Sequence, residues 1–257
     1  MIDLSRALRT ASVAAGVTRG ACGILRRTKP EGVGERKNYA GRTVDLCPGP
    51  AAVLGVAAGA LTADPGTRGA ALVATLAAGA CGAYDDVAGA GDPRRGFRAH
   101  LGALRSGELT SGAVKLFGIG AAGLVAGALL KERPADKVLA GVVVAGTAHL
   151  INLVDVRPGR AAQVALAVGA PGLLRGSLAA APMGAAAAVL PDDLGERGML
   201  GDCGAHALGA ALGVAIVAGN GCGGLLAHAA ALVAATAYGD RVSALARGTG
   251  TPLNSPV

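Results

Sequence analysis

Four short polar groups punctuate an otherwise apolar sequence: Arg36-Lys37-Asn38, Asp85-Asp86, Asn152-Leu153-Val154-Asp155 and Gly201-Asp202-Cys203-Gly204. Their residue types suit phosphate chemistry. Adjacent carboxylates such as Asp85 and Asp86 repel unless a cation or a donor sits beside them. One or two carboxylates plus phosphate oxygens are a common way to hold a divalent ion at a polyphosphate. The plainer alternative for the pair is a solvated helix cap. His149, Asn152 and, nearly, Asp155 and Val156 are spaced to share one face of a helix. The basic turn Arg157-Pro158-Gly159-Arg160 follows. Its guanidiniums can grip a phosphate with two parallel hydrogen bonds, or they anchor the chain at a membrane surface; for Arg160 both readings stand. Asp202 is either an N-cap or, flanked by glycines, a point where backbone closes on a ligand.

The segments between these groups must position them. Apolar runs rich in Ala, Gly, Val and Leu fall at about 7–25, 50–63, 68–84, 113–130, 137–153, 161–174, 177–190, 203–219 and 222–238. If each crosses a bilayer, alternate connections share one face, and all four polar groups converge there. The fold class predicted is all-α: a single integral membrane domain over 1–257, a polytopic helix bundle of about 8–9 spans. The span at 7–25 is weak, because it contains Arg19 and follows Arg6 and Arg9, and it does not read as a cleavable signal. Runs of about 14 residues fall short of the roughly 20 that a spanning helix needs. They must be extended by loop residues or sit where the bilayer thins.

Composition agrees. The charged fraction is 16%, against about 25% in soluble domains, and the mean hydropathy is +0.49. An Ala-rich soluble helical protein is the rival, but its long segments lack the i,i+4 charge pairs such helices use. Small residues instead suit close helix packing in lipid. The loops 26–49, 85–112, 154–160 and 191–202 and the tail after 238 hold fifteen Lys or Arg, and the opposite loops five. By the positive-inside rule the motif face is cytoplasmic. The net charge of +7 reflects that bias and anionic ligands rather than nucleic acid, since its basic residues are dispersed with almost no aromatics among them. Cys22, Cys47, Cys81, Cys203 and Cys222 form neither a disulfide framework nor a zinc motif.

In order and on one face, these residues resemble the polyprenyl-phosphate N-acetylhexosamine-1-phosphate transferase superfamily, which includes the phospho-N-acetylmuramoyl-pentapeptide transferase of peptidoglycan synthesis. The likeness runs from about Lys37 to Ser243. It covers Lys37-Asn38-Tyr39-Ala40-Gly41-Arg42, the Asp85-Asp86 pair, Lys115, the Asn152-Leu-x-Asp155 turn and the Gly201-Asp202-x-Gly204-Ala205 start that leads to His206. The resemblance implies transfer of a sugar-1-phosphate from a UDP-sugar to a membrane polyprenyl phosphate with Mg²⁺, for cell-envelope polymers, at the cytoplasmic face of a bacterial membrane. It implies Asp155 as the principal metal ligand and Asp202 beside the nucleotide diphosphate. Asp85 and Asp86 would position or deprotonate the lipid phosphate. Lys37, Asn38, Lys115, Asn152, Arg157, Arg160 and His206 fall to substrate binding.

This chain departs from the family with His149 in place of an Asn and Arg157-Pro158-Gly159 in place of an acidic turn. The His-rich loop and last crossing of the peptidoglycan enzyme are not found. It therefore reads as a shortened, divergent branch whose sugar and nucleotide stay open, as does homo-oligomerisation. Two rivals remain: a catalytically silent relative that binds the lipid carrier or an envelope partner, and a solute transporter, which would place its charges near mid-span.

Overall fold

The computed structural model describes residues 3–89, 102–108 and 110–248. The middle of the predicted 85–112 loop, with Arg94, Arg95 and Arg98, and the tail beyond 248 lie outside the described residues. The fold is all-α apart from one small hairpin. Helix α1 spans Leu4–Thr28, α2 Pro48–Thr62, α3 Arg68–Ala88, α4 Ser111–Leu130 and α5 Pro134–Leu153. Helices α6 (Arg160–Gly172), α7 (Ala180–Leu194), α8 (Gly201–Gly219), α9 (Cys222–Ala237) and α10 (Gly239–Arg247) follow. Each apolar run in the sequence becomes a helix whose ends differ by only a few residues. Strand β1 (Glu35–Lys37) pairs antiparallel with β2 (Thr43–Asp45), Arg36 opposite Val44. Asn38 shapes the turn, its Oδ1 accepting the N–H groups of Ala40 and Arg42.

Local chemistry sets the helix boundaries. Asp3 caps α1 by accepting the Arg6 N–H, and Thr110 caps α4 by accepting that of Ala113. Proline opens α2 and α5, where its missing N–H costs nothing. Helix α8 is the axis of the bundle. Every residue from Cys203 to Ala215 is buried, and α2, α3, α5, α6 and α7 all pack on it. An all-round apolar helix belongs in such a place. Its glycines set the approach distances: a Cβ on Gly213 would stand 2.6 Å from the Val144 Cα of α5, and one on Gly204 2.9 Å from the Gly49 Cα of α2.

Polar contacts sort into two ends of the bundle. At one end Arg26 binds Asp45 and Asp192, Arg36 binds Asp86, and Asn38 donates to Glu196. At the other, Arg6 binds Asp64 at 2.6 Å, Lys131 donates to the Asn220 carbonyl and Arg175 to that of Gly219. All four polar sequence groups lie at the first end. Between the ends the outward faces are apolar, with Leu54, Leu76, Phe117, Leu124, Leu129, Leu226 and Val233 exposed. Helices α4, α5 and α8 are long and apolar enough to cross a membrane; α9 with α10, which meet at 81°, make a fourth if taken as one span. Helices α2, α6 and α7 have 15, 13 and 15 residues. At 1.5 Å per residue they reach only about 20–22 Å, short of a hydrocarbon core of roughly 30 Å.

The far-end latch yields a stability prediction. Asp64 takes the Arg6 guanidinium on one oxygen and the Ser177 N–H and hydroxyl on the other. Burial disfavours its charge, but these donors together hold its carboxyl below the ordinary range. A depressed pKa gives stability that is present above the unfolded value and lost as pH falls through the folded one. Asp64→Ala should cost about 1–3 kcal/mol, mainly by stranding the Ser177 N–H, and should weaken the acid dependence of the melting temperature measured from pH 5 downward.

Candidate functional site

The four polar groups of the sequence gather at one end of the bundle, in two adjoining clusters. The first lies where α3, α4 and α8 meet. The Lys115 ammonium donates to Asp85 Oδ2 at 2.7 Å and also to Asp202 Oδ2, so one cation joins three helices. Asp86 is engaged differently. Its Oδ1 accepts the Asp202 N–H at 3.1 Å and its Oδ2 the Cys203 N–H at 2.9 Å, while Arg36 reaches Oδ1 at 2.9 Å. The first turn of α8 is therefore capped by a carboxylate from α3, not by Asp202 itself. Gly201, at φ 59°, makes this possible, because a side chain in that left-handed conformation would be strained and would also meet Asp86.

The second cluster is a cavity of about 110 Å³ lined by Lys37, Asn38, Tyr39, Asp155, Arg157, Asp193 and Glu196, among others. Its walls come from the hairpin, the turn after α5 and the end of α7. As the predicted span 137–153 and loop 154–160 place it, α5 ends at Leu153 and Asp155 sits in the turn that follows, its N–H donating to the Asn152 carbonyl, so the helical spacing from His149 and Asn152 does not run on to it. Arg157 lies over the Tyr39 ring, 5.7 Å from its centroid. Pockets that enclose a drug-sized ligand run to roughly 300–1,000 Å³. This one has room for a group of phosphate size.

The other sequence candidates are placed as follows. Lys37 is exposed at the cavity mouth, its ammonium 3.3 Å from the Gly41 carbonyl. Asn38 is tied to Glu196 at 2.6 Å. Asn152 is half-buried in the last turn of α5. Arg160 is exposed at the start of α6 and does not line the cavity. His206 is 2% exposed inside α8, with Nδ1 2.7 Å from the Asp202 carbonyl oxygen, so it supports the first cluster from behind.

Sequence reasoning missed Asp193. It is 4% exposed, lines the cavity, and its Oδ2 has no hydrogen-bond partner. The signal was the run Pro191-Asp192-Asp193 in a loop already assigned to the motif face. The Asp193 carboxylate accepts the Gly159 N–H. Asp155 is pushed well above the ordinary carboxylate range, first by burial and then by Asp193, Asp202 and Asp86. Asp193 is buried and Asp155 half-buried, and neither forms an ion pair among the described residues, an arrangement that suits a cation. Among the described residues no three His, Cys, Asp or Glu side chains group as a closed metal site. A site completed by phosphate oxygens does not require three.

The chain matches no protein-family model and no curated protein at a significant level. The class of protein defined by fold and site is a helical bundle with spanning-length apolar helices and a polar, acid-rich end.

Proposed function

We propose that this protein transfers a sugar-1-phosphate from a UDP-sugar to a polyprenyl phosphate at the cytoplasmic face of a bacterial membrane. The observation that carries the reading is the convergence of Asp85, Lys115 and Asp202 from three helices beside a cavity walled by Asp155, Lys37 and Arg157. All nine long helices, α1–α9, would then cross the bilayer, the short ones in a locally thinned region. The basic residues of the hairpin and of the turn after α5 would face the cytoplasm.

In this reading an oxygen of the lipid phosphate attacks the β-phosphorus of the donor. A new P–O bond forms, the bond from β-phosphorus to the bridging oxygen breaks, and UMP leaves with its electron pair. Asp85, with one oxygen bound to Lys115, positions the lipid phosphate and takes its proton if it enters protonated. Lys115 neutralises charge spreading over the transferring group, and Lys37 and Arg157 hold the diphosphate from the cavity side. Positioning and charge stabilisation are most of what phosphoryl transfer requires. Mg²⁺, held by Asp155, would supply Lewis-acid neutralisation of the diphosphate.

The test is incubation of purified protein with polyprenyl phosphate, Mg²⁺ and a panel of UDP-sugars, with UMP release as readout. Activity that Asp155→Asn abolishes, in a variant that melts like the parent, is the expected result. Single-cysteine labelling should report the cytoplasm at 36, 158 and 197 and the exterior at 66 and 134. A mixed pattern would remove the shared face.

One observation favours a silent lipid-binding relative. Asp86 uses both oxygens to cap α8, and Lys115 is already paired, so these groups also have a structural role without substrate. Such a relative would be thermally stabilised by polyprenyl phosphate and by no nucleotide sugar.

A further inference from the structure

The acids at this end of the bundle divide by whether a cation already serves them. Asp45 and Asp192 share Arg26, Asp86 has Arg36, and Asp85 and Asp202 share Lys115. Glu196 has Arg42 and the Asn38 amide. Among the described residues, neither Asp155 nor Asp193 forms an ion pair, and both line the same cavity. Asp193 is also more than nine-tenths buried, with Oδ2 unpartnered. A buried carboxylate with a single backbone donor and no cation is costly to keep charged. A ligand that supplies positive charge removes that cost.

We propose that Asp193 and Asp155 together bind a divalent cation in this cavity, and that Asp202, held by Lys115, is not one of its protein ligands. The remaining coordination positions are open to water and phosphate oxygens, as a hard cation prefers. Lys37 and Arg157 stand on the same cavity wall, placed to take up the rest of a phosphate's charge. The fold builds the pair from two separate elements. Pro191 lies inside α7 without ending it, so the helix runs on to Leu194 and carries Asp193 inward. The turn after α5 then closes through Gly159 at φ 77°, whose missing side chain leaves room for Leu190 and Leu194 of that same helix. That the phosphate belongs to a nucleotide sugar rests on the transferase reading; the cation site does not.

The experiment uses the full chain in detergent or nanodiscs, without nucleotide, and follows free Mn²⁺ by electron paramagnetic resonance. The parent should bind Mn²⁺ saturably and release it to Mg²⁺. Asp193→Asn and Asp155→Asn should each weaken binding at least tenfold, and Asp202→Asn by less than threefold. Because a variant can misfold, unmutated protein is also loaded with Fe²⁺ and treated with ascorbate and peroxide. Backbone cuts should fall near 155 and 193 and be suppressed by Mg²⁺. No saturable Mn²⁺ binding, undiminished binding by Asp193→Asn, or cuts absent from 155 and 193 would each overturn the proposal. Mn²⁺ binding that depends on Asp193, with no UDP-sugar turned over, keeps the cation site and removes the transferase reading. UMP release by Asp193→Asn with unchanged Mg²⁺ dependence does the reverse.

Discussion

Replacing Lys115 with methionine should abolish transfer and destabilise the protein by about 3–5 kcal/mol, the usual cost of breaking a buried ion pair from one side. The Lys115 side chain is only 19% exposed, and it is the one cation paired with both Asp85 and Asp202 among the described residues. Without it, two carboxylates from α3 and α8 face each other at low exposure, where like charges disfavour ionisation. Chemical denaturation in detergent measures the loss. The triple variant Lys115→Met with Asp85→Asn and Asp202→Asn separates the two roles. It should regain most of the stability, since no charge is left unpaired, and none of the activity. A single variant that melts like the parent would mean that the ammonium does not hold these helices together.

Gly82→Ala should be nearly as damaging, for a steric reason. A Cβ at this position on α3 would stand 2.5 Å from the Asp202 carbonyl carbon and 2.7 Å from the Cys203 Cα. These are backbone atoms of the central helix and cannot rotate away. Inserting one methyl into such a contact costs about 1–3 kcal/mol or more. Separating α3 from α8 also pulls Asp85 and Asp86, one turn further on, away from Lys115 and from the N–H groups they serve. At least a tenfold loss of turnover is expected beside the stability loss. Gly16→Ala on α1 is the control, since nothing lies within 4 Å of its added Cβ. There the helix-propensity gain of about 0.5–1 kcal/mol should stand alone. Equal damage from both substitutions would mean that helix propensity, and not close approach, governs the effect.

The helices were legible because apolar runs end where proline, glycine or charge intervenes. The run at 113–130 became Ser111–Leu130 and that at 203–219 became Gly201–Gly219. Where a terminator failed, so did the boundary. The run at 177–190 stops before Pro191, yet α7 continues to Leu194, since a proline near a helix end forfeits one hydrogen bond without breaking the helix. That extra turn is what hid Asp193. The hairpin at 35–45 was also invisible, because two strands of three residues carry too little alternation to register.

The alternation of polar and apolar segments by itself brought Asp85, Asp86, Asp155 and Asp202 to one end, because helices that run antiparallel in succession return to the same side at every second connection. Which acids are neutralised there was decided only by the tertiary structure. Lys115 meets partners 30 and 87 positions away, and Asp86 caps a helix 116 positions on. A sequence shows an ammonium and several carboxylates. Only side-chain positions show that this ammonium is taken by Asp85 and Asp202, and that Asp193 is buried beside Asp155 with an oxygen left unbound.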